Sequence, residues 1–88
     1  MKVRKRVERY SDILLTLWDP AGVNGVPQAR DEYDTYANRI VGMLAAGATA
    51  EAIAAYLLRT EREELGLSGD VQRAERTASA IIAAFTAQ

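Results

Sequence analysis

Trp18-Asp19-Pro20-Ala21-Gly22-Val23, followed after a short spacer by Ala29-Arg30-Asp31-Glu32-Tyr33-Asp34-Thr35-Tyr36, decides how this chain folds. Residues 18–36 hold the single tryptophan, both prolines and four of the twelve acidic residues. Pro20 disfavours helical geometry in the residue before it, and Gly22 follows at once, so a helix arriving at Trp18 must stop there. Carboxylates at 31, 32 and 34 suit the start of a new helix, where amides are unpaired and the helix dipole is positive. The segment therefore reads as helix, irregular elbow, helix.

Apolar spacing on either side extends that reading. Val3, Val7, Tyr10, Leu14 and Leu17 recur every three or four residues, with Ile13 and Trp18 widening the stripe, which predicts a helix over 3–18. Residues 19–28 form an ordered loop in this reading, with Asn24-Gly25 as a turn and Pro27 stiffening the exit. The second helix opens at Asp31, buries Tyr33, Ala37, Ile40, Val41 and Leu44, and ends at Gly47. Thr49 caps the third helix, whose apolar residues are Ile53, Leu57 and Leu58, supported by Ala50 and Ala54. Beyond Arg59 the run Thr60-Glu61-Arg62-Glu63-Glu64 is almost wholly polar. With Glu51 and Arg59 it reads as a solvated charged face, and only Leu65 returns to the core before Gly66. Ser68 is placed to cap a fourth helix, with Asp70 in its first turn and Val71, Ala74, Ala78, Ile81 and Phe85 on its buried face. Short loops at 47–48 and 66–67 imply antiparallel neighbours. The expected fold is all-α, a small up-and-down bundle of three to four short helices, in a single domain spanning 1–88.

Composition narrows the chemistry. An 88-residue chain is too short for two cores, and sixteen alanines against one phenylalanine imply closely packed helices. The absence of cysteine and histidine excludes disulfides, thiolate zinc sites, cysteine nucleophiles and a neutral-pH proton shuttle. The two lysines, Lys2 and Lys5, lie in the basic start, and Ser11, Ser68 and Ser79 have ordinary helical or capping explanations. No enzyme and no cofactor are expected. No apolar run approaches the roughly 20 residues that cross a bilayer, and the charged start is not followed by a leader-like apolar segment. The expectation is a cytoplasmic protein without membrane attachment.

Charge is unevenly distributed. Residues 1–9 carry Lys2, Arg4, Lys5, Arg6 and Arg9 against Glu8, a balance of +4, and the remainder carries six basic and eleven acidic residues, or −5. The basic end reads first as a solubilising, frayed helix start. Its functional alternative is contact with nucleic-acid phosphates. Asp19, Asp31, Glu32 and Asp34 together suggest a carboxylate metal site, but their spacing matches no calcium loop. Asp31 and Asp34 are explained as cap and dipole partners, and Asp19 as the acceptor of a local Asx turn. Gly22-x-x-Gly25 lacks the lysine and preceding strand of a phosphate cradle. The aromatics Trp18, Tyr33 and Tyr36, with Tyr10 nearby, read as a small core beneath the loop, with Trp18 and Tyr33 inside. A recognition patch is the competing reading. The candidate partner-binding residues are Trp18, Asp19, Asp31, Glu32, Asp34 and Tyr36.

The pattern Trp18-Asp19-Pro20-x-Gly22-Val23 with Asp31-Glu32-Tyr33-Asp34-x-Tyr36 resembles the YugE-like family of small bacterial helical proteins. The resemblance covers roughly residues 10–67. It implies a compact helical bundle and carries over no catalytic residues. The function expected from these features is a non-enzymatic protein-interaction module, for instance an immunity- or inhibitor-type protein that occludes a partner. The alternative is a nucleic-acid-associated protein using the basic first helix.

Overall fold

The computed structural model describes residues 2–23, 25–29 and 31–87, with side chains 2–4 and the side chain of residue 29 excluded. The Asn24 half of the expected Asn24-Gly25 turn lies outside the described residues. The described chain is helical with no strands, and its four helices are α1 (Lys2–Ile13), α2 (Asp34–Ala45), α3 (Ala50–Arg59) and α4 (Val71–Thr86). Two of them run on into wider turns: α1 through Leu14–Trp18 and α3 through Thr60–Glu64, both π-helical. The all-α bundle read from the sequence is what the chain forms.

Tyr10, Leu14 and Trp18, four residues apart, bury one face of the end of α1 and of the π turn that follows it. The π turn closes when the Asp19 amide donates to the Leu14 carbonyl at 2.8 Å, with Asp19 in the left-handed region at φ 34°. Pro20 bars Asp19 from a right-handed turn, and Asp tolerates the left-handed one better than most residues. Helix two starts later than its acidic residues suggest. Residues 31–33 form a turn, closed by the Asp34 amide on the Asp31 carbonyl at 3.1 Å, and α2 begins only at Asp34. Neither Asp31 nor Glu32 therefore lies in the first helical turn, and Tyr33 at the N-cap makes no side-chain capping bond. Gly47, at φ +87°, ends α2 as expected, and Thr49 caps α3 by accepting from the Ala52 amide.

Three other expectations are corrected. Asp70, not Ser68, caps α4, accepting from the Arg73 amide at 3.0 Å; the Ser68 carbonyl is instead taken by Arg62 Nε at 2.9 Å. Val71, just past that cap, is exposed, and the buried face of α4 is Ala74, Thr77, Ala78 and Ile81. The polar run after Arg59 is not a solvated face throughout: Thr60 and Glu61 are both 1% exposed. There the π turn holds α3's buried stripe facing inward past the point where its apolar residues run out.

Helix α1 packs along α2, α3 packs along α4, and α4 closes over the end of α1. α2 and α3, joined by the 47–48 loop, make few close backbone contacts with each other. The molecule is only 18 Å deep. That is about two layers at the ~10 Å diameter of a helix. Fully buried Ala37, Ala74 and Ala78 let those layers approach around Leu14, Ile40, Ile53, Leu57 and Ile81.

Candidate functional site

The elbow between α1 and α2 is held from beneath. Trp18 is buried, and its ring lies 5.3 Å from Tyr33 (57° between planes) and 5.8 Å from Tyr36 (87°, edge to face). Such tilted and edge-on aromatic pairs each add about 0.5–1.5 kcal/mol beyond their buried area. The indole Nε1 donates to Glu61 Oε1 at 2.6 Å, joining the two π turns across 43 residues of sequence. Glu61 Oε2 accepts the Asp70 amide at 3.1 Å and lies 3.7 Å from Arg73 Nη2. A carboxylate this deeply buried is costly unless its lone pairs are occupied, and here two N–H donors, from α1's π turn and from the N-cap of α4, are joined by the Arg73 cation. Glu61 thus ties the end of α1, the end of α3 and the start of α4 together.

Above the tryptophan, Asp19 organises the loop. Its Oδ1 accepts from the Val23 amide at 2.8 Å and from the Tyr33 hydroxyl at 2.8 Å. That hydroxyl in turn accepts from the Ala21 amide at 3.1 Å. Burial pushes the Tyr33 phenol far above the ordinary tyrosine range; the Ala21 amide pulls the other way, and the Asp19 carboxylate reinforces the rise. Tyr33 consequently stays protonated, as donation to Asp19 requires. Backbone bonds from Gly22 to Asp19 (3.1 Å) and from Val26 to Val23 (3.0 Å) complete the elbow. Asp34 does not serve as a free cap: its Oδ1 accepts from the buried Ser11 hydroxyl at 2.6 Å, pinning α2 to α1.

The six candidate partner-binding residues therefore divide. Trp18 is 1% exposed and offers no surface to a partner. Asp19 and Asp34 are half-buried, with carboxylate oxygens committed to Tyr33, Val23 and Ser11. Asp31 and Glu32 are exposed, and Tyr36 is half-buried at the edge of the aromatic cluster. Burial raises the Tyr36 phenol above its usual value, with the Glu64 and Glu32 carboxylates adding to the rise. The four carboxylates do not converge as a metal site; among the described residues no group of three or more His, Cys, Asp or Glu is placed to hold an ion. Of the basic residues, Lys5 and Arg9 are exposed and Arg6 is half-buried on α1, while the side chains of Lys2 and Arg4 lie outside the described residues.

Sequence reasoning missed Glu61. A signal was present: Ile53, Leu57 and Glu61 are spaced by four, so helical register alone puts the carboxylate on the buried stripe. What the held elbow presents outward is a hollow of about 660 Å³ between α1 and the loop, lined by Leu15, Thr16, Val23, Val26, Pro27 and Asp12 among others. No helix of the described residues is long and apolar enough to cross a membrane. Comparison with protein-family models, curated proteins and solved structures finds no match for this chain.

Proposed function

We propose that this chain is a non-enzymatic protein-interaction module, working as an immunity- or inhibitor-type protein does by covering part of a partner. The observation that carries the reading is the anchoring of the elbow from within. Trp18, Asp19 and Tyr33 spend their hydrogen bonds on Glu61, Val23 and Ala21, so residues 20–23 are presented in one conformation. A surface ordered before contact loses little entropy on binding, which is how a small interface reaches useful affinity. The charge distribution supports the same reading. A body of net charge −5 beyond residue 9 steers a basic partner and repels nucleic acid over most of the surface.

The test is quantitative capture from extracts of the native cells, with the purified protein as bait, at low and at moderate salt. A protein recovered in near-equal amount with the bait is the expected result. No such protein across several growth conditions, or recovery of nucleic acid in its place, overturns the proposal.

A further inference from the structure

We propose that this chain forms a symmetric dimer with a second copy of itself by exchanging halves. The connection between α2 and α3 straightens into one continuous helix, and the α1–α2 half of each copy closes on the α3–α4 half of the other. Within the folded chain α1 packs along α2 and α3 along α4, whereas α2 and α3, consecutive in sequence, make few close backbone contacts. The halves are held together away from their joint, by α4 against α1 and its π turn and by the bond from Trp18 Nε1 to Glu61 Oε1. All of these contacts form equally with the matching half of a second copy. Only the joint changes, so its conformation, set against the entropy of association, decides between monomer and dimer.

The joint is built from helix-forming residues. From 45 to 50 the chain reads Ala-Ala-Gly-Ala-Thr-Ala, and alanine has the highest helix propensity of all. Two local devices break the helix there. Gly47, at φ +87°, turns the chain, with its amide on the Leu44 carbonyl at 3.0 Å and the Ala48 amide on the Met43 carbonyl at 2.9 Å. Thr49 then caps α3 through the Ala52 amide at 3.2 Å. Ala46, Gly47 and Thr49 are exposed, and a Cβ at Gly47 would meet nothing within 4 Å. A straight helix replaces these bonds with its own ladder and, because α2 and α3 scarcely touch, gives up little packing at the joint. The other two connections are tied down by side chains: Asp19 and Tyr33 hold the elbow, and Arg62 Nε holds the Ser68 carbonyl.

The experiment compares Gly47→Ala, Thr49→Ala and a control, Gly66→Ala, with the wild type by sedimentation up to millimolar protein. Gly66 also has positive φ (+68°) and open space at its Cβ, but it joins α3 to α4, which pack together. Alanine at 47 strains the left-handed turn of the monomer and suits the straight helix, once per copy, so its dimer should form at least about tenfold more tightly than the wild type's. Thr49→Ala removes a cap that only the broken helix needs and should shift the equilibrium the same way. Gly66→Ala should leave it unchanged, because its turn is the same in monomer and dimer. In dimers assembled from mixed isotope-labelled and unlabelled chains, nuclear Overhauser contacts from the Trp18 indole should reach Glu61 of the other chain. Gly47→Ala that stays monomeric at millimolar concentration, a dimer whose Trp18 meets Glu61 of its own chain, or equal dimerisation by Gly66→Ala overturns the proposal. Should Gly47→Ala fail to fold, wild type held at millimolar concentration in urea near its unfolding midpoint and returned to buffer carries the same measurement. Recovery of monomer alone then overturns the proposal too.

Discussion

Replacing Glu61 by glutamine keeps the side chain's size and removes its charge, isolating what the carboxylate does. In the native protein Oε1 accepts from Trp18 Nε1 and Oε2 accepts from the Asp70 amide. A glutamine has one acceptor oxygen and one amide nitrogen, so either orientation turns an NH₂ toward an N–H donor. One buried donor then loses its acceptor, at a cost of about 1–3 kcal/mol. The attraction to Arg73, 3.7 Å away, is lost as well. The sum is about 2–3 kcal/mol of destabilisation, on the scale set by hydrogen bonds to charged groups. For a domain of this size that corresponds to a fall of roughly 8–24 °C in melting temperature. Because the chain has one tryptophan, fluorescence during urea unfolding reports from the perturbed site, and circular dichroism in parallel checks that unfolding stays two-state. A double-mutant cycle with Trp18→Phe should return a coupling of at least about 1 kcal/mol, as directly bonded groups do. A glutamine variant within about 0.5 kcal/mol of the wild type, the scatter of ordinary surface substitutions, refutes the tie between the two π turns.

Trp18→Ala should cost about 3–5 kcal/mol, as for other buried large-to-small changes, read by the same denaturation measured through circular dichroism. Tyr33→Phe should cost about 1–3 kcal/mol by leaving the Ala21 amide without its acceptor, with faster hydrogen exchange at Ala21 as the site-specific readout. Tyr33 also sets a pH dependence. Its folded value is raised above the ordinary 10.0, so above about pH 10 the unfolded chain sheds a proton that the native state keeps. That stability is fully present below about pH 10 and falls as pH rises further; melting from pH 8 to 11 should show a shallower decline for Tyr33→Phe. Gly69→Ala should destabilise more than Gly22→Ala. Both backbones have positive φ, but a Cβ at Gly69 would stand 2.9 Å from Arg62 Nε and 3.2 Å from Leu58 Cδ2, whereas at Gly22 nothing lies within 4 Å. Paired thermal melts decide this, and equal melting temperatures refute it.

Local rules legible in the sequence determined the helices, their stops and much of the core. Three- and four-residue apolar spacing placed Tyr10, Leu14, Ala37, Ile40, Ile53, Leu57, Ala78 and Ile81 inside, and Pro20, Gly47 and Thr49 act where their own backbone chemistry requires. The aromatic assignment of Trp18 and Tyr33 to the interior was equally readable, because large apolar rings next to a helix end have few other places to go. Tertiary structure alone decided which partner each inward-facing polar side chain meets. Ser11 and Asp34, Tyr33 and Asp19, and Trp18 and Glu61 are separated by 23, 14 and 43 residues. The polar composition of 60–64 assigns Glu61 to a charged surface, and position assigns Asp34 to a helix cap. Each is instead claimed by a donor that only folding brings near, since a buried donor must find an acceptor wherever the chain supplies one.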